Sequence, residues 1–279
     1  MEEKSPGSIY LVATPIGNLG DISARAAKTL SDVDFIAAED TRVTHRLLEH
    51  LKIKKPLVSY YKYNRIQSGE LIIARVLAGE SCALVSDAGT PGISDPGEDL
   101  VKMCIENGIQ MTIIPGPCAA IAALTASGLP AGRFTFEGFL STAKKSRFEH
   151  LGELKTEKRT MVFYEAPHKL MRTLQDMLKI FGDRNISVSR ELTKIYEETH
   201  QYTLTGAIAH FEKTPPRGEF VLVIEGAKEV QISETELQDA VASARELINN
   251  GLSVKDAVKK TALDTGIPKN ALYNAVLSD

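Results

Sequence analysis

The chain reads as an α/β protein with a parallel-sheet first lobe, a mixed-sheet second lobe and a small helical C-terminal domain, and three features of the sequence predict this. Short β-branched or apolar runs alternate with amphipathic stretches over residues 8–126, the signature of a parallel sheet wrapped by helices. The alternation breaks at 128–133, where two glycines and Pro130 interrupt it, and resumes over 134–226. After Gly226 strand character vanishes. At 279 residues the chain is too long for one ordinary α/β core. The predicted domain boundaries are 1–129, 130–228 and 229–279.

Strands of the first lobe are predicted at 9–13, 34–38, 57–59, 82–86 and 111–114, each a short apolar run bounded by turn residues. Between them Val43, Leu47, Leu48 and Leu51 recur at helical spacing and predict a helix over 41–51. The helix after the fourth strand opens with Asp95 as cap, Pro96 in its first turn and Glu98 three residues from the cap. In the second lobe strands are expected at 135–139, 160–164, 187–190, 198–204 and 220–225, with helices at 143–153, 166–181 and 206–212. The hairpin-like succession near its end predicts a mixed sheet. In the tail, Ser233 with Glu236 and Ser253 with Asp256 form capping-box patterns that open two helices. A turn at 264–268 precedes a third, giving a helix-turn-helix pattern.

Composition narrows the function classes. Hydrophobic residues make up 43% and charged residues 25%, ordinary values for a globular chain. The run at 119–126 is far shorter than the roughly 18 residues of a membrane span. The amino-terminal segment lacks the basic start and apolar stretch of a secretory signal, so a cytoplasmic location is expected. Cys82, Cys104 and Cys118 show no CxxC spacing, which speaks against a disulfide framework or a zinc site; no metal is expected. With 33 basic against 36 acidic residues the net charge is −3, so any nucleic-acid contact must come from local patches.

Ligands of an open parallel sheet bind beyond the carboxyl ends of its strands, and the loops there are unusual. TPIGNLGD follows the first strand, SDAGTPGISDPG the fourth and PGPCAA the fifth, each with Gly and Pro where a backbone turns tightly or approaches a bound molecule. The GxGxxG, Walker, HExxH and GxSxG patterns are absent. The fourth-strand loop offers carboxylates and no cluster of Lys or Arg, which suits a nucleoside-like or cationic ligand better than a phosphate.

Several long motifs then carry a resemblance: LVATPIGNLGDIS at 11–23, AEDTR at 38–42, SDAGTPGISDPG at 86–97, PGPCAAIAALTASGLP at 115–130, YEAPHKL at 164–170 and SRELTK at 189–194. In order and content they resemble the small-subunit ribosomal RNA ribose methyltransferases, a branch of the tetrapyrrole-methylase superfamily. The resemblance covers residues 8–226 and, more weakly, the tail. It implies a two-lobed tetrapyrrole-methylase-like fold binding S-adenosylmethionine, bent, in the cleft between lobes. It also implies a homodimer that acts on the small ribosomal subunit, methylating a decoding-region cytidine 2′-hydroxyl of 16S rRNA. On matching positions, donor contacts would come from Pro15, Val85, Ser86, Asp87, Thr90, Cys118, Ala119, Glu165 and Leu192, with Asp87 foremost. The segment YYKYNR at 60–65 departs from the histidine-rich, acidic stretch of the group.

Methyl transfer to a hydroxyl is helped by a placed base. The candidates are Asp40, Glu165, His168 and Glu191, together with Glu39. Glu39 and Asp40 also precede a helix, where carboxylates serve as caps, and His168 stands in a helix's first turn. For RNA the candidates are Arg42, Lys62, Arg65, Lys144, Lys145, Arg190 and Lys194, with Tyr60, Tyr61 and Tyr63 able either to stack on bases or to pack on helices. Further basic groupings are Lys52, Lys54 and Lys55, then Lys144 and Lys145 with Arg147, and in the tail Lys255, Lys259, Lys260 and Lys269. Two alternatives remain at this stage: carbon methylation of a corrin or sirohaem precursor, and a non-catalytic RNA-binding module.

Overall fold

A computed structural model of the chain describes residues 7–228 and 234–278. The first sheet comprises β1 (Ser8–Val12), β2 (Phe35–Ala38), β3 (Leu57–Ser59), β4 (Cys82–Val85) and β5 (Gln110–Ile114), all parallel, in the order β3-β2-β4-β1-β5. Helices α1 (Ala24–Asp32), α2 (Thr41–Leu51), α3 (Arg65–Leu77), α4 (Gly97–Glu106) and α5 (Ala119–Ala126) follow these strands or connect them. The central strands FIAA and CALV are buried at every position, as a sheet covered on both faces requires. Alternate residues feed two cores. Phe35, Leu84, Ile9 and Leu11 pack with Ile72, Val76 and Leu100, whereas Ile36, Val85 and Val12 pack with Ala26, Leu30 and Leu48.

The second sheet contains β6 (Phe134–Phe139), β7 (Thr160–Glu165), β8 (Asn185–Arg190), β9 (Glu198–Thr203) and β10 (Phe220–Ile224) in the order β6-β7-β10-β8-β9. Only β6 and β7 are parallel; β10 runs antiparallel to both neighbours, and β9 runs antiparallel to β8. One face is covered by α6 (Lys144–Glu153), α7 (Pro167–Phe181) and α8 (Leu204–Lys213) through Leu151, Leu170, Leu174, Met177 and Phe211. The opposite face receives α5, whose sequence AAIAALTA has no polar stripe. Its Ala120, Ala123 and Leu124 pack on Val162, Val221 and Val223. Burial of a side chain such as Leu124 contributes about 1.5–3 kcal/mol. The helix that closes the first lobe thus forms part of the second lobe's core, and the chain up to Ala227 is one compact unit.

From Lys228 onward the chain forms a separate unit, with α9 (Glu234–Asn249), α10 (Val254–Thr265) and α11 (Lys269–Leu277) packed around Ala240, Ala244, Val258 and Leu272. Ser253 caps α10 by accepting from the Asp256 amide at 3.2 Å. Gly266 ends that helix in the left-handed region at φ +75°, where glycine meets no Cβ penalty. The first expected capping box rests on Ser233, which lies outside the described residues. Among the described residues no helix is long and apolar enough to cross a membrane.

Two local expectations need correction. Helix α4 begins at Gly97 with Pro96 in the cap position, because the Asp95 carboxylate is drawn backwards. It accepts from the Gly92 amide at 2.9 Å as well as from Gly97 at 2.7 Å, so it braces the preceding loop. Arg147, grouped with surface lysines in sequence, is buried. Its Nε donates to Asp176 at 2.7 Å and its Nη1 donates to the carbonyls of Ser141 and Thr142. Cys82 and Cys104 are buried free thiols, and Cys118 is half-buried.

Candidate active site

Strand order brings the unusual loops together. β2, β4, β1 and β5 are consecutive in the sheet, so the residues leaving their carboxyl ends stand side by side. Thr14 and Gly89 exchange two main-chain hydrogen bonds, 2.9 and 3.0 Å, which lace the first-strand loop to the fourth. Gly89 holds φ +84°, a conformation that any side chain would strain. Thr90 Oγ1 donates to the Pro117 carbonyl at 3.1 Å and ties in the fifth-strand loop. The Asp40 amide donates to Asp87 Oδ1 at 2.8 Å and ties in the second.

The second sheet presents the carboxyl ends of β6, β7 and β8 and the start of β10 at the facing edge; the register Phe220 opposite both Glu165 and Arg190 follows from β10 running antiparallel to its neighbours. Between the two edges lies a cavity of about 560 Å³. The first lobe lines it with Ile16, Glu39, Ser86, Asp87, Ala88, Gly89, Thr90, Ile93, Ser94, Asp95, Cys118 and Ala119. The second lobe contributes Phe139, Tyr164, Glu165, Ala166, Pro167, Leu192, Glu219, Phe220 and Val221. At Gly138, in the β6 bulge with φ +61°, an added Cβ would stand 3.0 Å from Ser94 Oγ. The lobes therefore approach closely where the bulge bends the strand.

The electrostatics of the cavity are one-sided. Glu39 is half-buried, and desolvation followed by the charges of Asp87 and Asp95 raises its pKa above the ordinary carboxylate value. Desolvation also raises Asp87, with Asp40 and Asp95 adding to it against the Asp40 amide and Arg42. Among the described residues no Lys or Arg lines the cavity. Carboxylates whose charge burial disfavours, beside walls of Ile16, Ile93, Leu192 and Val221, fit a ligand that couples a cation to an apolar ring system. S-adenosylmethionine has that chemistry, and the volume lies within the usual range of about 300–1,000 Å³ for small-molecule sites.

Of the residues expected at the donor, Ser86, Asp87, Thr90, Cys118, Ala119, Glu165 and Leu192 line the cavity. Val85 and Pro15 do not line it: Val85 is buried at the end of β4, and Pro15 precedes Ile16 in the chain. The expected bases separate. Asp40 is the cap of α2: it accepts from the Arg42 amide at 2.8 Å and is bridged by the Arg42 guanidinium, which holds its carboxyl down at about 2. Glu165 is buried, with one oxygen accepting from the Ala166 amide at 2.9 Å and the other from Thr173 Oγ1 at 2.5 Å. His168 is exposed in the first turn of α7 and does not line the cavity. Glu191 sits at φ +50°. Burial pushes its pKa up, but Lys194 at 3.0 Å and the Glu219 amide at 3.0 Å outweigh burial and hold it low. The sequence favours Asp40 over its neighbour Glu39 as the base, but of these two only Glu39 lines the cavity.

Most of the basic residues expected at RNA are engaged with acids on the surface. Arg42 pairs with Asp40, Arg65 with Asp99 at 2.8 Å, Arg190 with Glu198 at 3.0 Å, and Lys194 with Glu191 and Glu219. Lys145 lies 3.9 Å from Glu149, Lys144 sits over the Phe148 ring, and Lys62 is exposed. Phe139, Tyr164 and Glu219–Val221 were missed at the cavity. Tyr164 heads the YEAPHKL motif and was legible; β10 reaches the site only because it runs antiparallel, which no local pattern announces.

Residues 8–208 match the family of Tetrapyrrole (Corrin/Porphyrin) Methylases. The chain belongs to that family. Residues 235–279 match the RsmI C-terminal HTH domain. Within the tetrapyrrole methylases this chain falls among proteins named Ribosomal RNA small subunit methyltransferase I. It is 48% identical to that of Synechocystis sp. over 97% of this chain and 98% of the relative. It is 45% identical to that of Bacillus subtilis over 96% and 94%. Among solved tetrapyrrole methylases, uroporphyrin-III C-methyltransferase from Thermus thermophilus superposes with a TM-score of 0.56 at 19% identity, over 78% of this chain and 94% of that one. A second structure of that enzyme, complexed with S-adenosyl homocysteine, superposes with the same TM-score of 0.56 at 16% identity, over 78% and 92%. At such identities the likeness establishes the fold.

Proposed function

We propose that this chain transfers the methyl group of S-adenosylmethionine to ribosomal RNA of the small subunit, at the ribose 2′-hydroxyl of a decoding-region cytidine, as a cytoplasmic homodimer. The observation that carries most weight is the carboxylate-walled, otherwise apolar cavity at the shared edge of two sheets, in a chain whose near-full-length relatives bear an rRNA methyltransferase name. When bound, the donor supplies a methyl carbon activated by a sulfonium. Asp87 and Asp95 would face its positive charge, while Ile16, Leu192 and Val221 would receive the adenosine and the main chain at Cys118–Ala119 would limit its depth.

The residues' chief task is then placement, with the acceptor oxygen held about 3–3.5 Å from the methyl carbon and in line with it. The acceptor hydroxyl must also lose a proton. Glu39 suits that role best, because it borders the cavity and burial with neighbouring anions raises its proton affinity. Asp40, held at about 2, is a poor base, and the oxygens of Glu165 are already engaged.

The test is incubation with labelled methyl donor and small subunits that lack the modification, followed by mapping of the label. Label on a single cytidine ribose is the expected result. Label on a base, or none on RNA, overturns the reading.

A further inference from the structure

We propose that the turn Tyr61–Asn64 is a stacking platform for an unpaired nucleotide of the RNA substrate, with the base on the Tyr63 ring and Lys62 as the cation for its phosphate. The inference rests on the RNA reading above.

Strand order places this turn on the same sheet edge as the site, one strand beyond Glu39. β3 is the edge strand beside β2, whose chain continues into Glu39 on the cavity wall, and neighbouring strands lie about 4.8 Å apart. The Tyr60 amide donates to the Ala38 carbonyl at 2.8 Å, which carries the ladder one residue past β3. Tyr60 itself is buried and its hydroxyl donates to the Pro96 carbonyl at 3.3 Å, next to cavity-lining Asp95. It is an anchor, and its ring is closed to RNA.

Beyond the anchor the turn is braced. Asn64 Oδ1 accepts from the Tyr61 amide at 2.7 Å, Asn64 Nδ2 donates to the Ser59 carbonyl at 3.0 Å, and the Asn64 amide donates to the Tyr61 carbonyl at 3.0 Å. This turn holds Tyr63 89% exposed and Tyr61 41% exposed, edge to face with ring centroids 6.3 Å apart. An aromatic ring with two side-chain torsions on a braced turn loses little conformational freedom on binding, which favours its use as a contact.

Charge and shape select the occupant. Arg65 is tied to Asp99, so the phosphate of a stacked nucleotide falls to exposed Lys62. Every base has a π-face, but a base inside a duplex has both faces covered by its neighbours, so the platform fits a splayed, unpaired nucleotide.

The chain contains no tryptophan, which gives a direct probe. Tyr63→Trp yields a single-tryptophan protein whose emission should be quenched by unmodified small ribosomal subunits and by a short unpaired oligoribonucleotide, but not by a duplex of the same sequence. In parallel, Tyr63→Ala should raise KM for small subunits about tenfold while kcat and the calorimetric donor affinity stay within about twofold, and Tyr63→Phe should keep the wild-type KM. Absence of quenching, an unchanged KM in Tyr63→Ala, or an altered oligomeric state of that variant in sedimentation overturns the proposal. The last result would make the turn a self-interface. Should the wild type methylate no RNA at all, the substrate reading fails, and the quenching still reports whether a base stacks on residue 63. The nearly full exposure of Tyr63 means that none of these variants disturbs the core.

Discussion

The main-chain amide of Ala120 donates to the hydroxyl of Tyr164 at 3.2 Å, joining the first turn of α5 to β7 across the cavity floor. Burial pushes the Tyr164 hydroxyl up to about 12, so it keeps its proton at physiological pH and accepts with a lone pair. Tyr164→Phe leaves the Ala120 amide without that acceptor, and about 1–3 kcal/mol of stability should be lost in urea unfolding. Because Cys118 and Ala119 line the cavity beside this bond, donor affinity measured by calorimetry should fall as well; wild-type values for both would deny the contact any weight.

The adjacent acids Glu39 and Asp40 should behave oppositely. Glu39→Gln removes the proposed proton acceptor and should lower single-turnover methyl transfer by about a hundredfold and flatten its acid limb, with the donor still bound. Asp40→Asn keeps a capping oxygen for α2 and should leave transfer within about twofold. The reverse pattern would move the base to Asp40.

Donor binding should depend on pH with a definite sign. Glu39 and Asp87 are raised above the ordinary 4.5 and 3.8 by desolvation first and by neighbouring anions next. A cationic ligand favours their ionised forms, so binding releases protons wherever the free protein is partly protonated. Affinity should be level at and above neutral pH and should weaken as pH falls through the raised carboxylate range. Calorimetry in buffers of different ionisation enthalpy reads the released protons directly, and a pH-independent affinity would contradict this picture of the cavity.

Asp176 neutralises a guanidinium whose side chain is only 2% exposed. Asp176→Ala leaves Arg147 buried with carbonyl partners alone and should cost about 3–5 kcal/mol in chemical denaturation. Replacing both residues with apolar ones of similar volume should restore most of that loss. Equal stabilities of single variant and wild type would show that water reaches the guanidinium.

Much of the architecture was legible in the residues themselves. The helix over 41–51 and the strand over 57–59 coincide with α2 and β3, and the other strands of both lobes match within two residues. Parallel strands covered on both faces must be apolar, and helices betray themselves through side chains recurring every three or four positions, so both signals are local. The glycine- and proline-rich loops were legible for the same reason, since such residues mark tight turns locally, and Gly89 does hold a positive φ.

Only the tertiary structure decided which residues meet. The order β3-β2-β4-β1-β5 sets Glu39 beside Asp87 and Tyr60 beside Ala38, and the antiparallel course of β10 brings Phe220 and Val221 to the same cavity. It also turned Arg147 inward and made α5 a shared wall between two sheets. Strand order and burial are settled by contacts between residues far apart in the chain, whose free energy depends on the whole packed arrangement. A window of neighbouring residues carries the periodicity of its own element but not the identity of the surface that will cover it.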